Sequence, residues 1–143
     1  MDHATRQTLA EEIGFFLHAN RSIANATMLF IGFFDREVYS ISVYEDEGAQ
    51  LTYVPSGGSE NDAFWDKLIE IWKAQPPKHQ WQTLEAILAG EEIKLFFFYA
   101  EKPLGRGEDF PEREPIIRKY FGEKPVYFPP LPRKGPEELG FEL

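Results

Sequence analysis

The sequence predicts an α+β fold: an antiparallel sheet of about five strands with helices packed on it, in the order α-β-β-β-α-β-β-α, followed by an extended proline-rich tail. Residues 93–100 are the longest nearly unbroken apolar run and include four consecutive aromatic side chains, which favours a central strand covered on both faces. Residues 38–44 alternate apolar and polar side chains, as a half-buried strand does. Residues 5–19 instead repeat apolar side chains at helical spacing.

A three-stranded meander follows the first helix. The apolar run at 28–34 is separated from the alternating strand at 38–44 by only Asp35, Arg36 and Glu37, so the two strands form an antiparallel hairpin. A second turn leads to a third strand over residues 50–54.

The second half of the chain begins with a helix capped by Ser59 and ended by Pro76-Pro77. Residues 81–88 fit helical spacing as well as a strand. We predict a strand, because Ala89-Gly90-Glu91-Glu92 forms a good hairpin turn into the apolar run.

A last helix begins near Pro115 and ends at Gly122. Beyond it, prolines keep residues 124–132 extended, with Tyr127 and Phe128 expected to anchor this segment on the domain. We therefore predict one domain over residues 1–132 and a C-terminal tail over residues 133–143.

Composition restricts the partners. With 15 Lys+Arg against 24 Asp+Glu, the formal net charge is -9, which disfavours nucleic acid and anionic membranes and favours basic proteins. There is no cysteine, which excludes disulfides and thiolate metal sites. The first residues lack the pattern of a signal peptide, so we expect a cytoplasmic protein.

No motif for catalysis is present, and we predict no catalytic residue, no metal site and no cofactor. The three histidines are not spaced as metal ligands, and no nucleophile elbow or P-loop occurs. Acids are concentrated in residues 35–62, where seven acids and one base give a net charge of -6. A solvated surface explains such a distribution, and so does a binding surface for a basic protein. The candidate contact residues are Asp35, Glu37, Glu45, Asp46, Glu47, Glu60 and Asp62.

Several local features accompany this element order: Trp81 opening a strand, the Gly90 turn, Phe97-Phe98-Tyr99 ending the next strand, Arg113, and Lys119-Tyr120-Phe121-Gly122 closing the last helix. With these features the chain resembles the YezG-like immunity proteins of bacterial polymorphic toxin systems. The resemblance implies a protein that binds a cognate toxin domain and blocks it, without catalysis of its own.

Two functions are therefore expected from the sequence. The first is neutralisation of a basic toxin, such as a nuclease, through the acidic surface. The alternative is a small-ligand or regulatory binding domain with an aromatic pocket between the sheet and the helix that carries Trp65 and Trp72.

Overall fold

The computed structural model of the protein describes residues 1–35, 39–56, 61–99 and 112–130. The helices and strands within these ranges are α1 (His3–Asn20), β1 (Met28–Phe34), β2 (Tyr39–Asp46), β3 (Leu51–Tyr53), α2 (Asp62–Lys73), a short 3-10 helix (Pro77–His79), β4 (Thr83–Ala89), β5 (Glu92–Phe98), α3 (Glu114–Phe121) and β6 (Val126–Tyr127). The strands form one six-stranded sheet in the order β5-β4-β1-β2-β3-β6. The α+β class is confirmed, and the ambiguous segment 81–88 contains a strand.

The central strand is β1. It pairs with β2 on one side and with β4 on the other, and all seven of its residues are buried. A continuous apolar run is typical of a strand that is covered on both faces. Gly32 has no side chain, and the rings of Phe30 and Phe34 occupy the space beside it. A Cβ at this position would lie 2.8 Å from Phe34 Cε2 and 3.1 Å from Phe30 Cε1, which is too close.

The expectation that residues 93–100 form the central strand is wrong. Strand β5 lies at the edge of the sheet, and Phe96 and Phe98 remain 40% and 42% exposed. Only the alternate side chains Ile93, Leu95 and Phe97 pack into the main core. Aromatic content indicates a strand with large side chains, but it does not distinguish an edge from the centre of a sheet.

The sheet is also mixed rather than purely antiparallel, and it has one strand more than expected. Strand β6 pairs in parallel with β3, and the Leu51 amide donates a hydrogen bond of 2.8 Å to the Pro125 carbonyl. Two residues are too few for a strand pattern to be recognised in a sequence. Val126 packs into the core here, while the expected anchors Tyr127 and Phe128 are 47% and 63% exposed.

Helices α1 and α2 cover one face of the sheet, which we call the α1/α2 face. The Asp2 carboxylate accepts a hydrogen bond of 2.7 Å from the Thr5 amide and caps the start of α1. From α2, the Trp72 indole donates a hydrogen bond of 2.8 Å to the Trp81 carbonyl. The core on this face is rich in aromatic rings, and Trp81 is completely buried in it.

Helix α3 covers the opposite face, the α3 face. Pro115 lies in its first turn, and Gly122 ends it with a φ of 69°, in the left-handed region that glycine adopts without strain. Ile117 packs on Leu29, Ile31 and other residues of this second, smaller core. A helix of eight residues covers only part of a six-stranded sheet, and this incomplete cover leaves room for a cavity beside it.

Among the described residues, no helix combines the length and the apolar character needed to cross a lipid bilayer.

Candidate functional site

The acids predicted as partner contacts do not form one continuous surface. Glu37 and Glu60 lie outside the described residues. Asp35 follows the last residue of β1, whereas Glu45, Asp46 and Glu47 lie at the other end of β2. Eight residues of extended chain span about 26 Å, so the two groups of acids face different ends of the sheet.

Glu45 is a buried structural carboxylate. Its side chain accepts hydrogen bonds from the Ser22 amide at 2.7 Å, the Ser22 hydroxyl at 2.5 Å and the Ile23 amide at 2.9 Å. The residue is only 2% exposed, and Asp35 at the other end of the hairpin is 1% exposed. Both side chains are therefore directed into the protein, and Glu45 fixes the loop between α1 and β1.

The two remaining acids of the β2–β3 turn differ in their surroundings. The Asp46 carboxylate is 2.9 Å from Lys124 Nζ and accepts a hydrogen bond of 2.9 Å from the Gly48 amide. Partial burial would raise the pKa of Asp46, but the hydrogen bonds from Lys124 and Gly48 outweigh it and the pKa is lowered. Glu47 is exposed and contacts Gln50.

Helix α2 carries a row of exposed acids that the sequence analysis recognised only in part. Asp62, Asp66 and Glu70 are spaced four residues apart and all three are exposed. Side chains at this spacing lie next to one another on a helix, and like charges there repel. The ion pairs found among the described residues all involve other elements. The four-residue spacing of these acids is visible in the sequence, so the acidic row could have been recognised there.

The aromatic side chains of α2 pack against other rings of the core. The Trp72 ring lies 6.1 Å from the Phe34 ring, and Trp72 is 5% exposed. Trp65 contacts Phe64 and Phe16, with ring centroids 5.0 Å and 5.5 Å apart. These contacts account for the apolar surface that the sequence analysis considered as a ligand pocket.

A cavity of about 860 Å³ opens on the α3 face instead. The strands contribute Ser42, Tyr44 and Tyr53 to its wall, and α3 with the residues before it contributes Arg113 and Arg118. The remaining lining residues are Glu112, Glu114, Ile117, Val126 and Phe128. This volume is in the range of small-molecule sites.

Elsewhere on the α3 face, a buried carboxylate fixes α3 to the sheet. Glu85 on β4 is 2% exposed, and its Oε1 atom lies 2.7 Å from Lys119 Nζ. The Tyr120 hydroxyl donates a hydrogen bond of 2.5 Å to the same oxygen. Burial, and then the hydrogen bond and the negative charge of Glu85, raise the pKa of Tyr120 far above its ordinary value of 10.0.

This arrangement predicts alkaline destabilisation. Above pH 10 the Tyr120 phenol ionises in the unfolded chain but stays protonated in the folded one, so its contribution to stability is complete below pH 10 and is lost as pH rises. We expect Tyr120→Phe to cost about 1.5 kcal/mol at neutral pH through the lost hydrogen bond. It should also make the fall in stability above pH 10 less steep, as measured by urea unfolding at a series of pH values. If stability fell equally steeply above pH 10 in both proteins, the raised pKa of Tyr120 would be contradicted.

Within the described part of the chain, no group of three or more His, Asp or Glu side chains is placed to hold a metal ion. No protein-family model matches the chain, and no curated protein sequence matches it either. The family suggested by the sequence features stays a prediction.

Proposed function

We propose that the protein is an immunity protein that binds and neutralises a basic toxin domain, with the acidic row Asp62, Asp66 and Glu70 of α2 in the contact surface. The observation that carries this proposal is the exposure of three like charges on one side of a single helix, away from the ion pairs of the described structure. The resemblance to YezG-like immunity proteins supports the same function.

Physical arguments favour this surface over a merely solvated one. Neighbouring acids at four-residue spacing destabilise a helix by about 0.2–0.5 kcal/mol per pair. A basic partner would remove this repulsion. The row ends near Lys73 in the last turn, where a cation is favourable for the helix dipole. An acidic surface also accelerates association with a basic cleft and competes with nucleic acid for it.

The test begins with co-expression of the protein and the C-terminal toxin domain of a neighbouring large secreted protein, with growth and co-purification as readouts. We expect growth rescue and a stable complex. In purified proteins, the combined variant Asp62→Lys, Asp66→Lys and Glu70→Lys should weaken binding by about tenfold or more and reduce its salt dependence.

The matched control reverses three exposed acids outside α2, Glu91, Glu92 and Glu123, and so changes the net charge by the same amount. Glu91 and Glu92 form only long ion pairs of 4.0 Å and 3.9 Å, whose loss costs little stability at an exposed site. It should retain most of the affinity. Thermal unfolding of both variants is measured, because a lysine at the start of α2 opposes the helix dipole. Equal loss of affinity in the two variants would exclude a specific role for α2. Failure to rescue growth against every neighbouring toxin domain would refute the immunity function.

A further inference from the structure

We propose that the cavity on the α3 face binds a small molecule with an aromatic ring and a single carboxylate. This site is on the opposite side of the sheet from α2, and the proposal does not depend on toxin binding. It rests on the aromatic wall of the cavity and on its two guanidinium groups.

The aromatic wall is formed by Tyr44, Tyr53 and Phe128. The Tyr44 and Tyr53 rings meet edge to face with centroids 5.7 Å apart, and Phe128 lies 5.5 Å from Tyr53. Phe128 is 63% exposed at the mouth of the cavity. Rings arranged in this way offer faces and edges on which a planar ligand can stack.

The guanidinium of Arg113 is held in place by the protein. Its Nη2 atom donates a hydrogen bond to the Ser40 hydroxyl, and its Cζ atom lies 5.4 Å from the centroid of the Phe33 ring. Arg118, five residues further along the chain and within α3, is exposed at the same cavity and supplies a second guanidinium.

The charge of the wall selects the class of anion. Arg113 and Arg118 are accompanied by Glu112 and Glu114, so the charged lining is neutral in sum. A lining without net charge does not offset the larger desolvation cost of a doubly charged phosphate, whereas a carboxylate brings only one charge out of water. Guanidinium groups bind a carboxylate through paired, charge-assisted hydrogen bonds.

The probes are benzoate, phenylacetate and naphthoate, each compared with its carboxamide, and phenyl phosphate. Binding to the full chain is followed by two-dimensional protein NMR at concentrations up to the millimolar range. We expect at least one carboxylate to shift the amide signals of Ser42, Tyr44, Tyr53 and Ile117 saturably, and its carboxamide to bind about tenfold more weakly. No saturable shift with any carboxylate, shifts confined to other regions, or tighter binding of phenyl phosphate would overturn the proposal.

Two variants test the residues. Arg118→Gln removes an exposed cation from the last turn of α3, and it should weaken carboxylate binding by about tenfold with only a small fall in melting temperature. Lys78→Gln removes an exposed cation outside the cavity and is the matched control. If Lys78→Gln and Arg118→Gln weakened carboxylate binding equally, only the net charge of the protein would matter. This result would also overturn the proposal of a site at the cavity.

Discussion

Replacing Trp81 with alanine is expected to lower the free energy of unfolding by about 3–5 kcal/mol, the usual cost of removing a large buried aromatic side chain. Trp81 is 0% exposed, and its ring lies 5.6 Å from the Phe34 ring and 5.3 Å from the Phe97 ring. The substitution would leave a cavity where β1, β4 and β5 meet the α1/α2 face. Since domains of this size are stable by only about 5–15 kcal/mol, the variant would be close to unfolding.

Urea unfolding measures this effect, and Trp81→Phe is the informative comparison. The Trp81 Nε1 atom is buried and has no hydrogen-bond partner, so phenylalanine removes an unsatisfied donor together with part of the ring. Removing the unsatisfied donor stabilises the variant and offsets part of the destabilisation caused by the cavity. We therefore expect Trp81→Phe to lower the free energy of unfolding by about 1 kcal/mol or less. A loss below about 1 kcal/mol for Trp81→Ala would contradict the position of Trp81 in the core.

The fold could be predicted from the sequence where a strand carries different side chains on its two faces and where a helix end needs special backbone geometry. In β2, Tyr39, Ile41 and Val43 pack into the core of the α1/α2 face, whereas Ser40 and Ser42 lie on the α3 face. Pro115 and Gly122 mark the ends of α3 because both positions need special backbone geometry. Strand order is different. It depends on which strands share hydrogen bonds, and neither the aromatic run of β5 nor the apolar run of β1 specifies a neighbour.

The candidate site could be predicted less well. An acid looks the same in a sequence whether it is exposed, as Glu47 is, or buried among amide donors, as Glu45 is. The cavity on the α3 face combines residues from β2, β3, α3 and β6, which are far apart in the chain. Such a site exists only through the strand order, and hence the ligand pocket predicted from the sequence was at α2 instead.

The buried position of Glu45 leads to the second large effect. Glu45→Ala is expected to lower the free energy of unfolding by about 3 kcal/mol, because it removes charge-assisted hydrogen bonds from Ser22 and Ile23. These bonds fix the loop between α1 and β1, so local opening of this loop should also become more frequent. Urea unfolding and hydrogen exchange of the Ser22 and Ile23 amides measure the two effects.

Glu47→Ala is the control, since this neighbouring acid is exposed and its carboxylate accepts a long hydrogen bond of 3.3 Å from the Gln50 side chain. Its stability should change by no more than about 0.5 kcal/mol. If Glu45→Ala were as stable as Glu47→Ala but bound the toxin domain much more weakly, Glu45 would be a partner contact. The hydrogen bonds of Glu45 predict the opposite result. Glu45→Ala should be much less stable, and its folded fraction should bind the toxin domain with unchanged affinity.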